Sequence, residues 1–486
     1  MNNSAGLNND VRSQAFSGVI WGFGEKFALQ IFAFIQGVIL ARLLSPKDYG
    51  LVAMVGIFLM VSYSLVDSGF GTALIQKKEK HDVDYSTVFV LNVSISFCMA
   101  LLLAFSSPFI ADFYREPLLT KIVCVYAVLL FMSSFIAIQD VRLSVYLEFK
   151  KKSVINIITT ITSGLLAIVM AFMGFGVWSL IVPQFLTLTL KYILYWYYQR
   201  WIPKIQFSKE SCRELFGFGS KILASSMLAT IFENIYPLII GRIFSAKALG
   251  YYSRAGGYAN LPVKTITGVI ENVAYPVLSK LQDDDDLLVS AFRRMISVSA
   301  YLIFPVMIWL VVVAKPLVVV LVTEKWLPSV IYLQVLCIAE MWWHVHVLNL
   351  SLLKAKGRSD LFFNLEIVKK VLAVIILVAT VPFGILSMCF GAVVSSVLCM
   401  GINSYYTGKM MGFGIFKQLG EMSPALFYSI SMGAVVWLIT SLFEGLLVKL
   451  IVGTFVGVGY YLLVSIITNS RDMSYLVSIL KERINK

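Results

Sequence analysis

Runs of about 20 apolar residues, separated by short polar breaks, recur from one end of the chain to the other, and each is long enough to cross a hydrocarbon layer of about 30 Å as a helix. Fourteen fall near residues 16–41, 49–68, 86–111, 118–140, 153–173, 176–198, 219–244, 248–276, 290–314, 327–353, 361–381, 383–407, 423–443 and 446–468. The pattern predicts an all-α integral membrane protein of about fourteen transmembrane helices. Pro305, Pro316 and Pro328 interrupt the periodicity around the ninth and tenth runs, where boundaries are expected to be least regular.

The polar breaks repeat. GFGEK at Gly22–Lys26 precedes ARLLSPKDYG at Ala41–Gly50; GFGSK at Gly217–Lys221 precedes GRIFSAKALG at Gly241–Gly250. Arg42, Ser45, Lys47 and Gly50 thus return as Arg242, Ser245, Lys247 and Gly250, and later Gly176 and Ser179 return as Gly384 and Ser387. A duplicated half whose copies keep their order among similar apolar runs predicts halves related by rotation about the membrane normal, as in transporters that rock around a midplane site.

Hydrophobic residues make up 59% of the 486 and charged residues 14%, with mean hydropathy +0.83. Soluble domains have roughly 45 to 50% and 25%. With both termini placed in the cytoplasm, 24 of the 40 basic residues fall in loops on that side and 9 on the other, the asymmetry that sets orientation. Basic loops beside anionic headgroups also account for the net charge of +13 without nucleic acid. The polar start and the charges Glu25 and Lys26 in the first helix, with no small-residue cleavage site, argue against a removable signal peptide. The six cysteines read as small core residues rather than disulfides or metal ligands.

Seven basic residues remain inside predicted spans: Lys26, Lys191, Lys221, Arg254, Lys264, Lys369 and Lys370. A cation at the bilayer centre costs about 2.5 to 3.5 kcal/mol, so these are expected to line a hydrated interior or to snorkel. Lys26 lies on a small and polar stripe of Gly18, Gly22, Gln30, Ala33 and Gly37, opposite Phe27, Phe32 and Ile35, and Lys221 holds the matching place in the second half. Arg254 and Lys264 lie about 15 Å apart along one helix that continues to Glu271. Lys369 and Lys370 follow Glu366 at helical spacing and can neutralise it. Lys26, Lys221, Arg254 and Lys264 are therefore the candidates for a cationic cavity.

Carboxylates at Glu25, Asp67, Asp140, Glu233, Glu271, Glu340 and Glu366 lie in or at the ends of spans. Glu25 and Glu233, on the first helices of the two halves, together with Glu271, are the candidates for coupling to a proton or sodium ion. His344 and His346 follow Trp342 and Trp343 and read as an interfacial aromatic belt rather than a metal site. No Gly-rich loop ends in Lys-Ser or Lys-Thr, so nucleotide hydrolysis by that route is excluded. Arg200–Phe216, with its amphipathic KESCRELF, reads as an interfacial joint, and the tail from Arg471 as a further surface segment.

At ILARLLSPKDYGLVAM (Ile39–Met54), DSGFGTALIQ (Asp67–Gln76) and YYSRAGGYANLPVKTITGVIENVAYPVLSKLQ (Tyr251–Gln282), the chain resembles the polysaccharide transport family, in the superfamily that also holds multidrug exporters and oligosaccharide-lipid flippases. The resemblance implies two pseudo-symmetric six-helix lobes and two extra C-terminal helices, dividing the chain into 1–199, a linker 200–217, 218–408, 409–470 and a cytoplasmic tail 471–486. It also implies a bacterial inner-membrane flippase for undecaprenyl-pyrophosphate-linked oligosaccharides, working by alternating access for O-antigen, capsule or exopolysaccharide biosynthesis, with no cofactor and no catalytic residue. On that reading Gln30, Asn234, Tyr236 and Tyr258 contact sugar, and membrane lipids and other polysaccharide-assembly proteins are the partners. Three rivals make different demands. A cation-coupled drug exporter would want acidic cavity walls; a membrane polymerase would need an organised loop for chemistry, where the predicted periplasmic loops are short and lack His; a scaffold would tolerate any change of cavity charge.

Overall fold

The computed structural model describes residues 24–484 except 68, 78 and 205, and their regular structure is entirely helical. By internal contacts the chain forms two units, Met1–Gly250 and Tyr251–Lys486. The first holds α1 (Gly24–Leu43), α2 (Pro46–Asp67), α3 (Phe70–Gln76), α4 (Asp82–Tyr114), α5 (Leu118–Val145), α6 (Phe149–Phe172), α7 (Trp178–Ile181), α8 (Pro183–Gln199), α9 (Lys209–Glu233) and α10 (Ile235–Ile243). From α11 (Ala246–Lys280) the chain enters the second: α12 (Asp285–Val322), α13 (Ser329–Glu340), α14 (Trp343–Ala355), α15 (Ser359–Thr380), α16 (Ile385–Met411), α17 (Ile415–Ser441), α18 (Leu446–Ile467) and α19 (Arg471–Ile484).

All fourteen apolar runs are helical over most of their described length, and the first begins outside the described residues. Among the described residues ten helical stretches, α2 with α3 and α13 with α14 each taken as one, are long and apolar enough to cross a membrane, and α9 with α10 makes an eleventh if that pair, bent by 41°, is one span. The remaining three runs fall short through length or polarity. α8 has 17 residues and carries Lys191; α11 carries Arg254, Lys264 and Glu271; α15 carries Asp360, Glu366, Lys369 and Lys370. Phe105, Phe109, Phe383 and Phe455 are 76% or more exposed, tolerable on an outer surface that lipid covers.

The prolines do not end α12, which runs 38 residues through Pro305 and Pro316. Pro305 has no N–H for the Tyr301 carbonyl one turn earlier, and the Tyr461 hydroxyl of α18 donates to that oxygen instead at 2.9 Å. A shorter device serves two other helices. Pro108 and Pro424 free the carbonyls of Ala104 and Gly420, and the hydroxyls of Ser107 and Ser423 donate to them at 2.7 and 2.8 Å.

The expected joint is shorter than Arg200–Phe216. Ser208 caps α9, accepting from the Ser211 N–H at 3.2 Å, so KESCRELF forms the first turns of a long helix rather than a separate surface segment. Leu215 packs with Phe70, Leu74, Tyr85, Val88 and Ile138, fixing the start of α9 among α3, α4 and α5. The repeat places the seam between halves at 200–217, whereas the contacts of α9 and α10 lie with α2, α3 and α4.

Candidate functional site

The duplicated motif forms the same local structure twice. Ser45 caps α2: its hydroxyl donates to Asp48 at 2.6 Å and its N–H to the same carboxylate at 2.8 Å. Ser245 caps α11 by accepting from the Ala248 N–H at 3.1 Å; the carboxylate has no counterpart because Ala248 stands in its place. Four residues inside each helix sits the repeated glycine. A Cβ on Gly50 would lie 1.6 Å from the Ala246 carbonyl oxygen, and one on Gly250 1.9 Å from that of Pro46.

α9 breaks into α10 at Asn234 because Pro237 cannot donate to the Glu233 carbonyl. Glu233, Asn234 and Tyr236, three of the candidates from sequence, all sit at this break. The Asn234 amide donates to the Thr230 carbonyl at 2.8 Å and approaches the Met60 sulfur of α2 at 3.3 Å. Ser64 and Thr230 hydroxyls meet at 3.4 Å one turn away. Broken membrane helices expose main-chain groups that a solute can use, which is where transporter sites are commonly built. Lys221 lies on α9, and its side chain falls outside the described residues.

Glu25 is held on α6, accepting from Ser153 at 2.5 Å and from Asn156 at 2.8 Å. Asp140 of α5 accepts from Tyr195 and Lys152, each at 2.7 Å, and Lys191 lies within electrostatic reach of Asp140, Lys152 and Glu25. Two carboxylates and two ammonium groups from α1, α5, α6 and α8 thus share one interior region. The sequence offers Asp140 as a possible relay and Lys191 as a charge lining a hydrated interior or snorkelling, without joining the two; the spacing of Lys191 and Tyr195, one helical turn apart, is the local signal for their grouping. On α1, Lys26 and Gln30 are exposed and are not drawn into this cluster, while Phe32 seats on Gly164, where a Cβ would come within 2.4 Å of its ring.

On α11 the structure joins two candidates. The Arg254 Nε donates to the Tyr258 hydroxyl at 3.2 Å and its guanidinium lies 4.8 Å from that ring. Lys264 is exposed and acts electrostatically on half-buried Glu340 of α13. Glu271 is exposed at a cavity of about 370 Å³ that it lines with Tyr275, Ser351 and Lys354. Lys369 binds Glu366 at 2.5 Å, with Lys370 at 4.0 Å, as the spacing predicts.

The histidines are not an interfacial belt. His344 and His346 are buried, and His346 bonds Asn403 at 3.1 Å and Ser396 at 3.4 Å, extending a polar core in which the amides of Asn349 and Gln418 pair reciprocally at 3.0 Å. Among the described residues no three His, Cys, Asp or Glu side chains are grouped to hold a metal. One further cation escaped the sequence reading: Arg142 of α5 lies 4.1 Å from the Trp201 ring, 5.1 Å from Tyr85 and 5.5 Å from Tyr146, a cage that assembles only when the linker folds back.

A multi-pass helical chain with a broken span and charges gathered inside it belongs to the class of membrane transport folds. Its architecture is similar to that of the lipid II flippase MurJ in an inward closed conformation, with TM-score 0.76 at 15% identity, covering 93% of this chain and 99% of that one. The family profile described as polysaccharide biosynthesis protein matches residues 39–331, and the chain belongs to that family, one of membrane transporters and not of enzymes. It is 30% identical over 356 residues to the teichuronic acid biosynthesis protein TuaB of Bacillus subtilis (strain 168), covering 73% of this chain and 74% of that protein. To the lipopolysaccharide biosynthesis protein WzxC of Escherichia coli (strain K12) it is 26% identical over 365 residues, covering 74% and 73%.

Proposed function

We propose that the protein is a flippase that carries undecaprenyl-pyrophosphate-linked oligosaccharide units across the bacterial inner membrane by alternating access, supplying O-antigen, capsule or exopolysaccharide assembly. The observation that carries this reading is the joint one of family and fold: a polysaccharide biosynthesis chain with the architecture of a flippase for a lipid-linked sugar. Fourteen crossings, as two six-helix lobes and two extra C-terminal helices with both termini cytoplasmic, complete the scheme. Lys26, Lys221, Arg254 and Lys264 attract the pyrophosphate during transit. Gln30, Asn234, Tyr236 and Tyr258 offer hydroxyl and amide groups to the sugars. Few fixed sugar contacts would let related repeat units pass. Glu25, Glu233 and Glu271 couple transit to a proton or sodium gradient.

The test has two parts. Disrupting the gene is expected to remove one surface glycan and to accumulate its lipid-linked unit on the cytoplasmic face. Purified protein in vesicles is expected to move that unit between leaflets without forming a glycosidic bond. Bond formation by the purified protein, or a glycan unchanged by the disruption, overturns the proposal.

A further inference from the structure

Two cavities adjoin on one side of the second unit, outside the charges considered so far. The first, about 590 Å³, is a largely apolar furrow between α15 and α16, lined by Leu365, Val368, Leu398, Gly401 and Tyr405. The second, about 600 Å³, continues from it past the end of α16 to the start of α17; Tyr405 and Ile415 line both. Its wall carries Lys409 and Lys417, and among its described lining residues there is no carboxylate. Eight helical residues from Gly401 to Lys409 put the basic mouth about 12 Å along the axis from the apolar floor.

Each part has a structural cause. Gly401 lowers the floor. A Cβ there would meet only the Ile415 Cδ1, at an ordinary 3.6 Å. At the mouth, Gly408 and Gly414 let two backbones touch, since a Cβ on Gly408 would come within 2.9 Å of the Gly414 Cα. Lys417 donates to the Gly412 carbonyl at 2.7 Å, which holds its ammonium at the opening that Lys409 also lines. The nearby carboxylates are engaged elsewhere: Asp360 by Arg358 at 2.8 Å and Glu421 by Arg293 at 2.5 Å. Tyr405 and Phe416 flank the opening, 62% and 87% exposed, as aromatic residues do at the level of headgroups.

We propose that this paired cavity is a binding site for an anionic phospholipid of the cytoplasmic leaflet, its acyl chain in the furrow of α15 and α16 and its phosphate between Lys409 and Lys417. Charge complementarity selects the occupant. An apolar trough fits any lipid, and a mouth with two ammonium groups and no carboxylate favours the anionic ones. Both lysines belong to the side that the basic-residue count makes cytoplasmic, where anionic lipid is met. None of the proposed translocation residues is among the described residues that line it.

The test is retention of lipid by the whole protein, purified and read by native mass spectrometry after reconstitution in phosphatidylcholine with or without phosphatidylglycerol. Wild type is expected to keep phosphatidylglycerol in preference to phosphatidylcholine. Lys409→Gln should weaken that preference about fivefold and the double variant with Lys417→Gln about thirtyfold, from a contribution near 1 kcal/mol for each basic residue at a charged surface. Gly401→Leu, which fills the furrow and leaves both lysines, should also lose the lipid, with an unchanged melting temperature showing that the fold persists. Equal retention of both lipids by wild type, or full retention by the double lysine variant, overturns the proposal. So does displacement by inorganic pyrophosphate of bound phosphatidylglycerol, which would make the mouth part of the substrate path.

Discussion

Gly50 and Gly250 occupy equivalent places in the repeated motif and make reciprocal approaches: each passes the carbonyl that opens the other's helix, Gly50 against Ala246 and Gly250 against Pro46. Reciprocity of this kind is what a two-fold relation between duplicated segments produces, residue i meeting j while j meets i. Since the obstructing atoms are backbone, no rotamer change makes room. Gly50→Ala or Gly250→Ala is expected to cost about 1 to 3 kcal/mol as an overpacked contact and to depress transport. The two should be less than additive, because separating the helices for one methyl makes room for the other. Melting temperatures of the single and double variants check this; full additivity would mean that the two approaches are independent.

Asp140 and Glu25, both only partly exposed, lie within electrostatic reach of Lys191, and Lys152 pairs with Asp140, a grouping that suits charges exchanging partners during transport. Glu25→Gln keeps one oxygen to accept from the Asn156 amide, turns the other position into an N–H that the Ser153 hydroxyl can accept, and removes the charge. If Glu25 couples an ion, this variant should slow gradient-driven movement of substrate in vesicles about tenfold, the effect of some 1.4 kcal/mol of lost coupling, and leave ungated exchange intact. A purely structural carboxylate predicts instead that both rates fall together with the melting temperature.

Membrane class, helical content and the repeated motif were legible in the sequence because each is carried by local pattern: the length of an apolar run, a Ser before a helix, a Gly at a crossing. The continuity of α12 was not legible, since Pro305 is tolerated through a hydroxyl 156 positions away, on Tyr461. Nor was the fate of the histidines. For His346 the partners Asn403 and Ser396 come from a different helix, and His344 is buried beside its near neighbour in sequence, the Met341 carbonyl, so both are core residues rather than members of a belt. Arg142 was missed for the same reason, its stacking partner Trp201 lying beyond three further helices in sequence. Arg254 and Tyr258, four residues apart on one helix, were the favourable case: a local spacing that the fold turned into a contact.

The account of Pro305 is open to a mutant cycle. Tyr461→Phe removes the donor that satisfies the buried Tyr301 carbonyl and should destabilise by about 1 to 3 kcal/mol. Pro305→Ala supplies a backbone N–H one turn away, so adding it to Tyr461→Phe should recover part of that loss. Equal damage from Tyr461→Phe in both backgrounds would show that the hydroxyl acts other than through the carbonyl that Pro305 frees.

Lys77, between α3 and α4, donates to Glu214 at 2.8 Å and to Asp84 at 3.0 Å, joining the start of α4 to the start of α9. The hydrogen bond to Glu214, with Asp84 adding to it against the opposing effect of burial, raises the Lys77 pKa above its ordinary value. A raised amine pKa contributes stability that is fully present below the unfolded-state value of about 10.4 and is lost as pH climbs through the folded one. Lys77→Met should therefore lower the melting temperature by a nearly constant amount from pH 6 to 9, with the gap to wild type closing in more alkaline buffer. A gap that widens above pH 10 would reverse the sign and refute the linkage.

The cationic set offers the most direct challenge to the flippase reading. A charge-assisted contact to pyrophosphate contributes about 1.5 to 3 kcal/mol, so replacing Lys26, Lys221, Arg254 or Lys264 singly by Ala should raise the substrate concentration needed for half-maximal flipping about tenfold or more. Arg254→Lys should not rescue, because an ammonium cannot reproduce the planar stack and directed Nε bond on Tyr258. A charge reversal such as Lys264→Glu should be worse than Ala if the anion passes close by, and no worse if Lys264 serves only to offset Glu340. Measured at equal protein level, surface glycan unchanged in all four Ala variants would remove these residues from the path and leave the family assignment without a site.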